Sequence, residues 1–312
     1  MGRYVAQVSI PPPPPPRSSN KDKKGTSKKG SKGPTKAERA DRYALYLKAV
    51  QDPDHEVEFF EQAYREANGS AEPLVLREDF CGTFAVCCKW VAGKAGRRSL
   101  GVDLDAEPLA WGKKHHLEKL TVEQQKRVTL VQDDVRKVCS PKADVLAAQN
   151  FSFYLFMERK ELLAYFKAAR RNLAPGGVMV LDMMGGPDCL LEDQNEPRKC
   201  DGFTYVWRTE TVNPITNISE HSIGFKFKDG SKLERAFSYR WRLWSIPEVR
   251  DLLEEAGFAR VDVYWEGEGD EGEGDGNWKI TTEAAMDPSW LCYVVARRDH
   301  EAVTTVDHEG KA

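Results

Sequence analysis

The feature that most constrains the fold is an alternation of short apolar runs with helical segments between residues 74 and 182. Strands separated by single helices form βαβ units, and right-handed crossovers join such units into a doubly wound, mostly parallel sheet. The fold class predicted is therefore α/β. The strand candidates are Leu74–Arg77, Arg98–Leu104, Val128–Gln132, Val145–Ala148 and Val178–Asp182, and the helical stretches are Ala85–Ala95, Glu107–Leu117 and Glu158–Leu173.

Two further segments flank or interrupt this alternation. Residues 39–72 carry two amphipathic patterns, broken around Asp52-Pro53, which predict an N-terminal helical cap. After Gly186 the alternation stops, and residues 186–245 predict an antiparallel β insertion, placed as a lid over a substrate site. The predicted strands there are Phe203–Thr211, Ile218–Lys228 and Leu233–Trp244.

The remainder of the chain returns to the main sheet. A helix over Pro247–Ala256 and strands at Arg260–Tyr264 and Trp290–Ala296 complete a seven-stranded sheet, in a domain spanning residues 73–300. The acidic, glycine-rich residues 266–276 are predicted to form a loop between the last two strands.

The two ends of the chain differ from the rest. Residues 1–38 combine the hexaproline run Pro11–Pro16 with a Lys/Ser/Gly-rich stretch, which has too few apolar residues to offset its ordering entropy. We predict a disordered tail there and a flexible tail over residues 301–312. A solvated extension is the simplest interpretation. A nuclear-localisation signal, a nucleic-acid tether and a ligand for a proline-binding domain stay open.

Composition excludes several classes of protein. The net charge of −3 gives no global basic field for nucleic acid, and no apolar run reaches the ~18 residues of a membrane span. The cysteines are odd in number and irregularly spaced, which predicts free thiols and no metal site. We therefore expect a cytoplasmic protein, or a nuclear one if the lysine-rich tail acts as a signal.

The first βα turn of a doubly wound sheet is where a nucleotide-like ligand is expected, because backbone N–H groups converge there. In this chain the turn runs from Glu78 to Phe84 and lacks the G-x-G-x-x-G spacing of dinucleotide sites. Carboxylates before the helix would repel a phosphate but would suit a cationic ligand.

This turn resembles motif I of class I S-adenosylmethionine-dependent methyltransferases. Glu78 takes the acidic position and Gly82 the central glycine of that motif, while Phe80 and Phe84 replace its flanking glycines. The tripeptide Cys81-Gly82-Thr83 matches a common form of its core. The resemblance implies S-adenosylmethionine as the cofactor, bound in the turn by Glu78, Cys81, Gly82 and Thr83.

Further matches to the same family follow in the expected order. By resemblance, Asp103 would accept the ribose hydroxyls, Leu104 would flank the adenine, and Asp134 and Val135 would bind its edge. A more specific similarity, from about residue 41 to residue 295, is to a largely uncharacterised subfamily. Its motifs are Arg77–Thr83, Asn150–Ser152 and Ala236–Trp244. That subfamily implies the fold and the cofactor but no substrate.

The residues after the fourth strand face the methyl group in this fold. Asn150 and Tyr154 are therefore candidate catalytic residues, and Asn150 is also a candidate cofactor ligand. The paired prolines that clamp an adenine amino group are lacking, which disfavours methylation of that base. Tyr239, in the aromatic-rich insertion, is the third catalytic candidate; packing against the core is the alternative role for such aromatics.

The predicted function is in-line methyl transfer to a small-molecule acceptor, without a metal. Two alternatives stay open: an RNA or protein methyltransferase that uses the basic tail, and a non-catalytic cofactor-binding scaffold. The missing glycine fingerprint argues against an oxidoreductase. The sequence leaves the acceptor atom, the general base and the oligomeric state undetermined.

Overall fold

The computed structural model describes residues 33–269 and 274–300, and their strands form two sheets. The main sheet has eight strands in the order β11-β10-β12-β5-β4-β1-β2-β3, and the small sheet has the order β6-β7-β8-β9. The strands of the main sheet are β1 (Val75–Asp79), β2 (Arg98–Asp103), β3 (Val128–Gln132), β4 (Ala143–Ala148), β5 (Leu173–Gly185), β10 (Arg260–Glu268), β11 (Gly274–Ile280) and β12 (Trp290–Arg297). The strands of the small sheet are β6 (Gln194–Cys200), β7 (Phe203–Asn213), β8 (Ile218–Phe227) and β9 (Lys232–Arg242).

The first five strands are parallel, and β12 and β10 continue the sheet in antiparallel pairing. The strand order reverses between β1 and β4, so their carboxyl ends form the crevice where open α/β sheets bind ligands. The helices are α1 (Arg42–Ala49), α2 (Pro53–Asn68), α3 (Ala85–Gly93), α4 (Ala106–His115), α5 (Val122–Gln125), α6 (Arg159–Asn172) and α7 (Ile246–Glu255).

Local capping chemistry starts the two N-terminal helices. The Asp41 carboxylate accepts the backbone N–H groups of Tyr43 and Ala44, and Asp52 precedes a proline at the first position of α2. At the other end of α2, Asn68 Nδ2 donates to the carbonyl of Gly176, near the start of β5 (3.0 Å). Helix α2 therefore runs antiparallel to β5, and its first turn lies at the carboxyl edge of the main sheet.

The small sheet lies over that same edge. Trp241 of β9 packs edge-on against Phe151, which follows β4, with ring centroids 6.1 Å apart. Helix α1 lies beside this contact. Its Tyr46 packs against Phe237 of β9, with ring centroids 5.1 Å apart. The aromatic faces of the insertion are thus buried against the carboxyl edge and the helical cap.

The predicted α/β fold class is confirmed, and the strand count and some boundaries are corrected. The main sheet has eight strands rather than seven, because residues 274–280, which include the end of the predicted loop over residues 266–276, pair with β10. Strand β6 was not predicted, since Gln194–Cys200 is polar; it pairs with β7, and its Arg198 donates to the carbonyl of Ala49 in α1. Strand β5 reaches Gly185 because β12 pairs with it as far as that residue.

Some predictions concern residues beyond the described ranges. Residues 1–32 of the predicted N-terminal tail, residues 270–273 of the acidic loop, and the predicted C-terminal tail all lie outside the described residues. Among the helices of the described part of the chain, none combines the length and the apolarity needed to cross a membrane.

Candidate functional site

The turn between β1 and α3 has an unusual backbone. Phe80, Gly82 and Phe84 adopt positive φ angles of 58°, 50° and 48°. A left-handed conformation costs about 1 kcal/mol or more for a non-glycine residue and persists where surrounding contacts enforce it. Here Cys81 N–H donates to Val102 O (3.1 Å) and Phe84 N–H donates to Cys81 O (2.6 Å). The two phenylalanines therefore keep the backbone geometry that glycines would adopt at alternate positions.

Glu78 is the last but one residue of β1, just before this turn, and is buried. Its Oε2 accepts the backbone N–H of Cys87 in α3 at 3.2 Å. Burial, opposed by the hydrogen bonds from Cys87 and assisted by the nearby carboxyl groups of Asp103 and Asp79, raises the pKa of Glu78 to about 7. The site therefore holds an acid that is poorly solvated and would be stabilised in its charged form by a cation.

Asp103 ends β2 and connects that strand to the turn. Its Oδ2 accepts the N–H of Gly82 at 2.7 Å, and its Oδ1 accepts the N–H of Asp105 at 2.8 Å. A carboxylate offers about four acceptor sites, a capacity that suits the paired hydroxyls of a ribose. Leu104, next in the chain, is 65% exposed, which leaves its side chain accessible beside the carboxylate.

Asp134 and Val135 follow β3 on the far side of Asp103. The Asp134 carboxylate binds the Arg136 guanidinium at 2.6 Å, and this hydrogen-bonded pairing lowers the pKa of Asp134. Val135 is buried, and its carbonyl accepts a hydrogen bond from Arg77 Nη2 at 2.7 Å. Both residues are thus held in place at the carboxyl edge.

Arg77 and Asp79 organise this edge, and sequence reasoning assigned them no role. The buried Arg77 guanidinium binds the Asp79 carboxylate (2.7 Å) and the carbonyls of Val135 and Val138. It therefore links β1 to the segment that follows β3. Their place in the motif at Arg77–Thr83 was the available signal, but only the fold reveals the partners.

The turn after β4 is also strained and has its own anchor. Asn150 and Phe151 both have positive φ, and their N–H groups donate to the two carboxylate oxygens of Asp182 at 2.6 and 2.7 Å. Burial raises the pKa of Asp182 to about 7, although these hydrogen bonds oppose the shift. Asn150 Oδ1 is buried, and no described residue donates to it.

The two tyrosines singled out from the sequence have different surroundings. The Tyr154 hydroxyl donates to the carbonyl of Met184 (2.9 Å), so it holds the turn after β4 against β5. The Tyr239 hydroxyl is buried without a hydrogen-bond partner among the described residues, and its ring stacks on Trp241 at 4.7 Å. Tyr239 therefore has a hydrogen-bonding group available to a ligand.

The structure brings most of the predicted residues to one edge. Around the β1–α3 turn lie Glu78, Cys81, Gly82, Thr83 and Asp103, and Asn150 lies in the turn that follows the neighbouring strand β4. Within residues 33–269 and 274–300, no group of three or more His, Cys, Asp or Glu side chains is arranged to hold a metal.

A bound S-adenosylmethionine would fit this edge chemically. Thr83 Oγ1 and Asn150 Oδ1 are buried polar atoms that lack a hydrogen-bond partner in the described part of the protein. Such atoms are costly unless a ligand or water satisfies them. The carboxyl group of Glu78 suits the positive charges of the cofactor, and that of Asp103 suits its ribose hydroxyls.

Several solved structures have the same fold. An S-adenosylmethionine-dependent methyltransferase from Clostridium acetobutylicum is 16% identical and superimposes with a TM-score of 0.60, over 82% of this chain and 97% of that one. An amino pentose methyltransferase from Micromonospora echinaspora is 18% identical, with a TM-score of 0.57 over 82% and 95% of the two chains. A sugar N-methyltransferase from a Streptoalloteichus species is 17% identical, with a TM-score of 0.57 over 89% and 100%.

These similarities identify the architecture as the class I methyltransferase fold. Neither a protein-family model nor a curated protein sequence matches the chain.

Proposed function

We propose that this protein is an S-adenosylmethionine-dependent methyltransferase that transfers a methyl group in line to a small-molecule acceptor. The observation that carries the proposal is the convergence of Glu78 and Asp103 on a strained turn at the point where the strand order reverses. Buried acids at this position favour a cationic ligand with hydroxyl groups over a phosphate.

Each candidate cofactor residue has a role in this proposal. Asp103 accepts the ribose hydroxyls, with Leu104 beside the adenine and Asp134 and Val135 at its edge. Glu78 and the residues Cys81, Gly82 and Thr83 surround the methionine portion of the cofactor. The cofactor supplies the methyl group from its sulfonium, and the chain supplies alignment and exclusion of water.

The acceptor lies between the turn after β4 and the small sheet. Asn150 contributes its unsatisfied Oδ1 to the ligands at this edge, and Tyr154 positions the turn through its bond to Met184. The insertion over residues 186–245 acts as a lid that excludes water, with Tyr239 on its buried face. Two structural neighbours act on an amino pentose and a sugar, which supports an acceptor of similar size.

Isothermal titration calorimetry with S-adenosylhomocysteine tests the cofactor assignment. We expect binding to the full chain, and an Asp103→Ala variant should bind about 10- to 100-fold more weakly, because a charge-assisted hydrogen bond contributes roughly 1.5–3 kcal/mol. Asp251→Ala, which removes an exposed carboxylate from α7, is the matched control and should bind like the unmodified protein.

Two results would contradict these assignments. Failure of the full chain to bind S-adenosylhomocysteine would overturn the proposed function. Equal affinity of the Asp103→Ala variant and the unmodified protein would overturn the ribose assignment alone.

A further inference from the structure

Glu56 is a buried acid that nothing in the preceding site uses. It lies in the first turn of α2 and is 1% exposed, and neither carboxyl oxygen has a hydrogen-bond partner among the described residues. The adjacent His55 packs on Tyr293 at 6.4 Å, and Tyr293 pairs with Asp182 across the sheet. Glu56 therefore lies at the carboxyl edge of the main sheet, near the proposed methyl site.

The electrostatic surroundings of Glu56 are acidic. Burial raises its pKa well above the usual range, and the carboxyl groups of Glu78, Asp182 and Asp52 raise it further. The backbone N–H of Asp52 opposes this shift, but neither Glu56 side-chain oxygen makes a hydrogen bond of normal geometry to the described chain, whereas the other three acids each accept at least one backbone N–H. An ionised buried carboxylate without a partner is strongly unfavourable, so this position favours a cationic ligand.

The small sheet also carries buried donors that lack a partner among the described residues. The hydroxyls of Tyr205 and Tyr239 and the indole N–H of Trp241 are buried, and none has a partner in the described ranges. Tyr46 of α1 lies near the two tyrosines of this group and near Glu56. Its pKa is raised first by burial and then by the groups around it, which include both tyrosines, Glu56 and Asp182. Its ring also contacts Phe237 of the same sheet at 5.1 Å.

We propose that Glu56 binds the amino group of the methyl acceptor and accepts the proton that this amine loses on methylation. This inference rests on the proposed methyl transfer and specifies its acceptor as a small amine that also bears oxygen atoms. The oxygen atoms accept hydrogen bonds from Tyr205, Tyr239 and Trp241. The stacked rings of Tyr239 and Trp241 favour a cation over their faces.

The reaction balances with the groups present. The amine reacts in its neutral form, since an ammonium has no lone pair. The nitrogen lone pair forms a bond to the methyl carbon while the carbon–sulfur bond breaks, and the bonding electron pair passes to sulfur. The nitrogen thereby gains a positive charge and releases its proton to the Glu56 carboxylate. A carboxylate with a raised pKa is a better proton acceptor than an ordinary one, which suits this role.

The test uses two matched variants of α2 in the full chain. Glu56→Gln removes the proposed group without changing its size, and Glu58→Gln makes the same change on the exposed side of the helix. Tyr239→Phe removes one unsatisfied hydroxyl and keeps the ring. Thermal melts establish that each variant folds, and calorimetry gives its affinity for S-adenosylhomocysteine.

Methyl transfer is then measured with labelled S-adenosylmethionine and amine/alcohol pairs. The pairs are glucosamine and glucose, ethanolamine and ethylene glycol, and tyramine and tyrosol. We expect label on amines only, a loss of roughly 100-fold or more in Glu56→Gln, and no change in Glu58→Gln. We also expect a raised KM in Tyr239→Phe. Affinity for S-adenosylhomocysteine should stay unchanged in all three variants.

The remaining outcomes separate the two proposals. Label on alcohols, no label on any amine, or full activity of Glu56→Gln would overturn the role of Glu56. Weaker S-adenosylhomocysteine binding in Glu56→Gln would place its carboxyl against the ammonium of the cofactor and would overturn the inference as well. Absence of S-adenosylhomocysteine binding to the unmodified chain would overturn the proposed function itself.

Discussion

At the scale of single residues, three buried acids converge on the carboxyl edge of the main sheet. Glu56, Glu78 and Asp182 each have a pKa raised above its ordinary value, first because of burial. A raised carboxyl pKa stabilises the fold at pH values below the unfolded pKa, and this contribution is lost as the pH rises through the folded pKa. For Glu78 and Asp182 that loss is complete slightly above pH 7. A bound cation would restore this stability, because it favours the ionised carboxylates.

The affinity for S-adenosylhomocysteine should therefore rise with pH. Because its ammonium favours ionised Glu78, binding at pH 7 should release about half a proton from that residue and strengthen until the pH exceeds ~7. Calorimetry in buffers of different ionisation enthalpy measures the release. Glu78→Gln should show a smaller release and a weaker pH dependence. Equal slopes in the variant and the unmodified protein would refute the assignment of Glu78.

At the scale of elements, the β1–α3 turn depends on the close approach of α4. A Cβ atom added at Gly112 would clash with the Thr83 carbonyl oxygen and lie 2.6 Å from the Phe84 ring. Because Gly112 has no side chain, α4 can pack directly against the strained turn. Phe84, the N-cap residue of α3, keeps its positive φ through such packing, since its side chain is fully buried.

Replacing this glycine should disturb the turn. Gly112→Ala is expected to lower the free energy of unfolding by roughly 1–3 kcal/mol through overpacking and to weaken S-adenosylhomocysteine binding. Gly93→Ala is the matched control, because its Cβ would lie 3.5 Å from Arg97 Nη1 and meet no backbone. That control should be neutral or stabilising by up to about 1 kcal/mol. Urea unfolding gives the stabilities, and similar losses in both variants would contradict the role of Gly112.

At the scale of the whole molecule, the helical cap and the insertion close over the main sheet from one side. The backbone N–H groups of Lys36 and Ala37 donate to the side chains of Asp229 and Ser231, in the turn between β8 and β9, at 2.9 and 3.1 Å. These two hydrogen bonds attach the start of the described chain to the small sheet. The residues proposed to bind cofactor and acceptor all lie within residues 46–241.

Removal of residues 1–32 should accordingly leave the site intact. We expect unchanged S-adenosylhomocysteine affinity and unchanged methyl transfer to a small amine, measured as for the full chain. The alternative function as an RNA methyltransferase predicts RNA binding that weakens steeply with salt and disappears on truncation. That result, together with loss of transfer to small molecules, would contradict a small-molecule acceptor.

The sequence by itself determined the parallel part of the main sheet and the acids of the first turn. Both are encoded locally, because strand and helix periodicity and strand-end motifs lie within short windows of the chain. The predicted third strand, Val128–Gln132, agrees with β3, and the turn with its glutamate and glycine lies where the motif placed it.

Only the tertiary structure decided the edge strands and the burial of the additional acids. Strands β6 and β11 have few apolar residues and exist through pairing with β7 and β10. Glu56 follows an ordinary helix start in the sequence, and its isolation from hydrogen-bond donors arises when α2 packs antiparallel to β5. The energy of a charged group depends on its burial and on the charges around it, which for Glu56 include Asp182, more than a hundred positions away in the sequence.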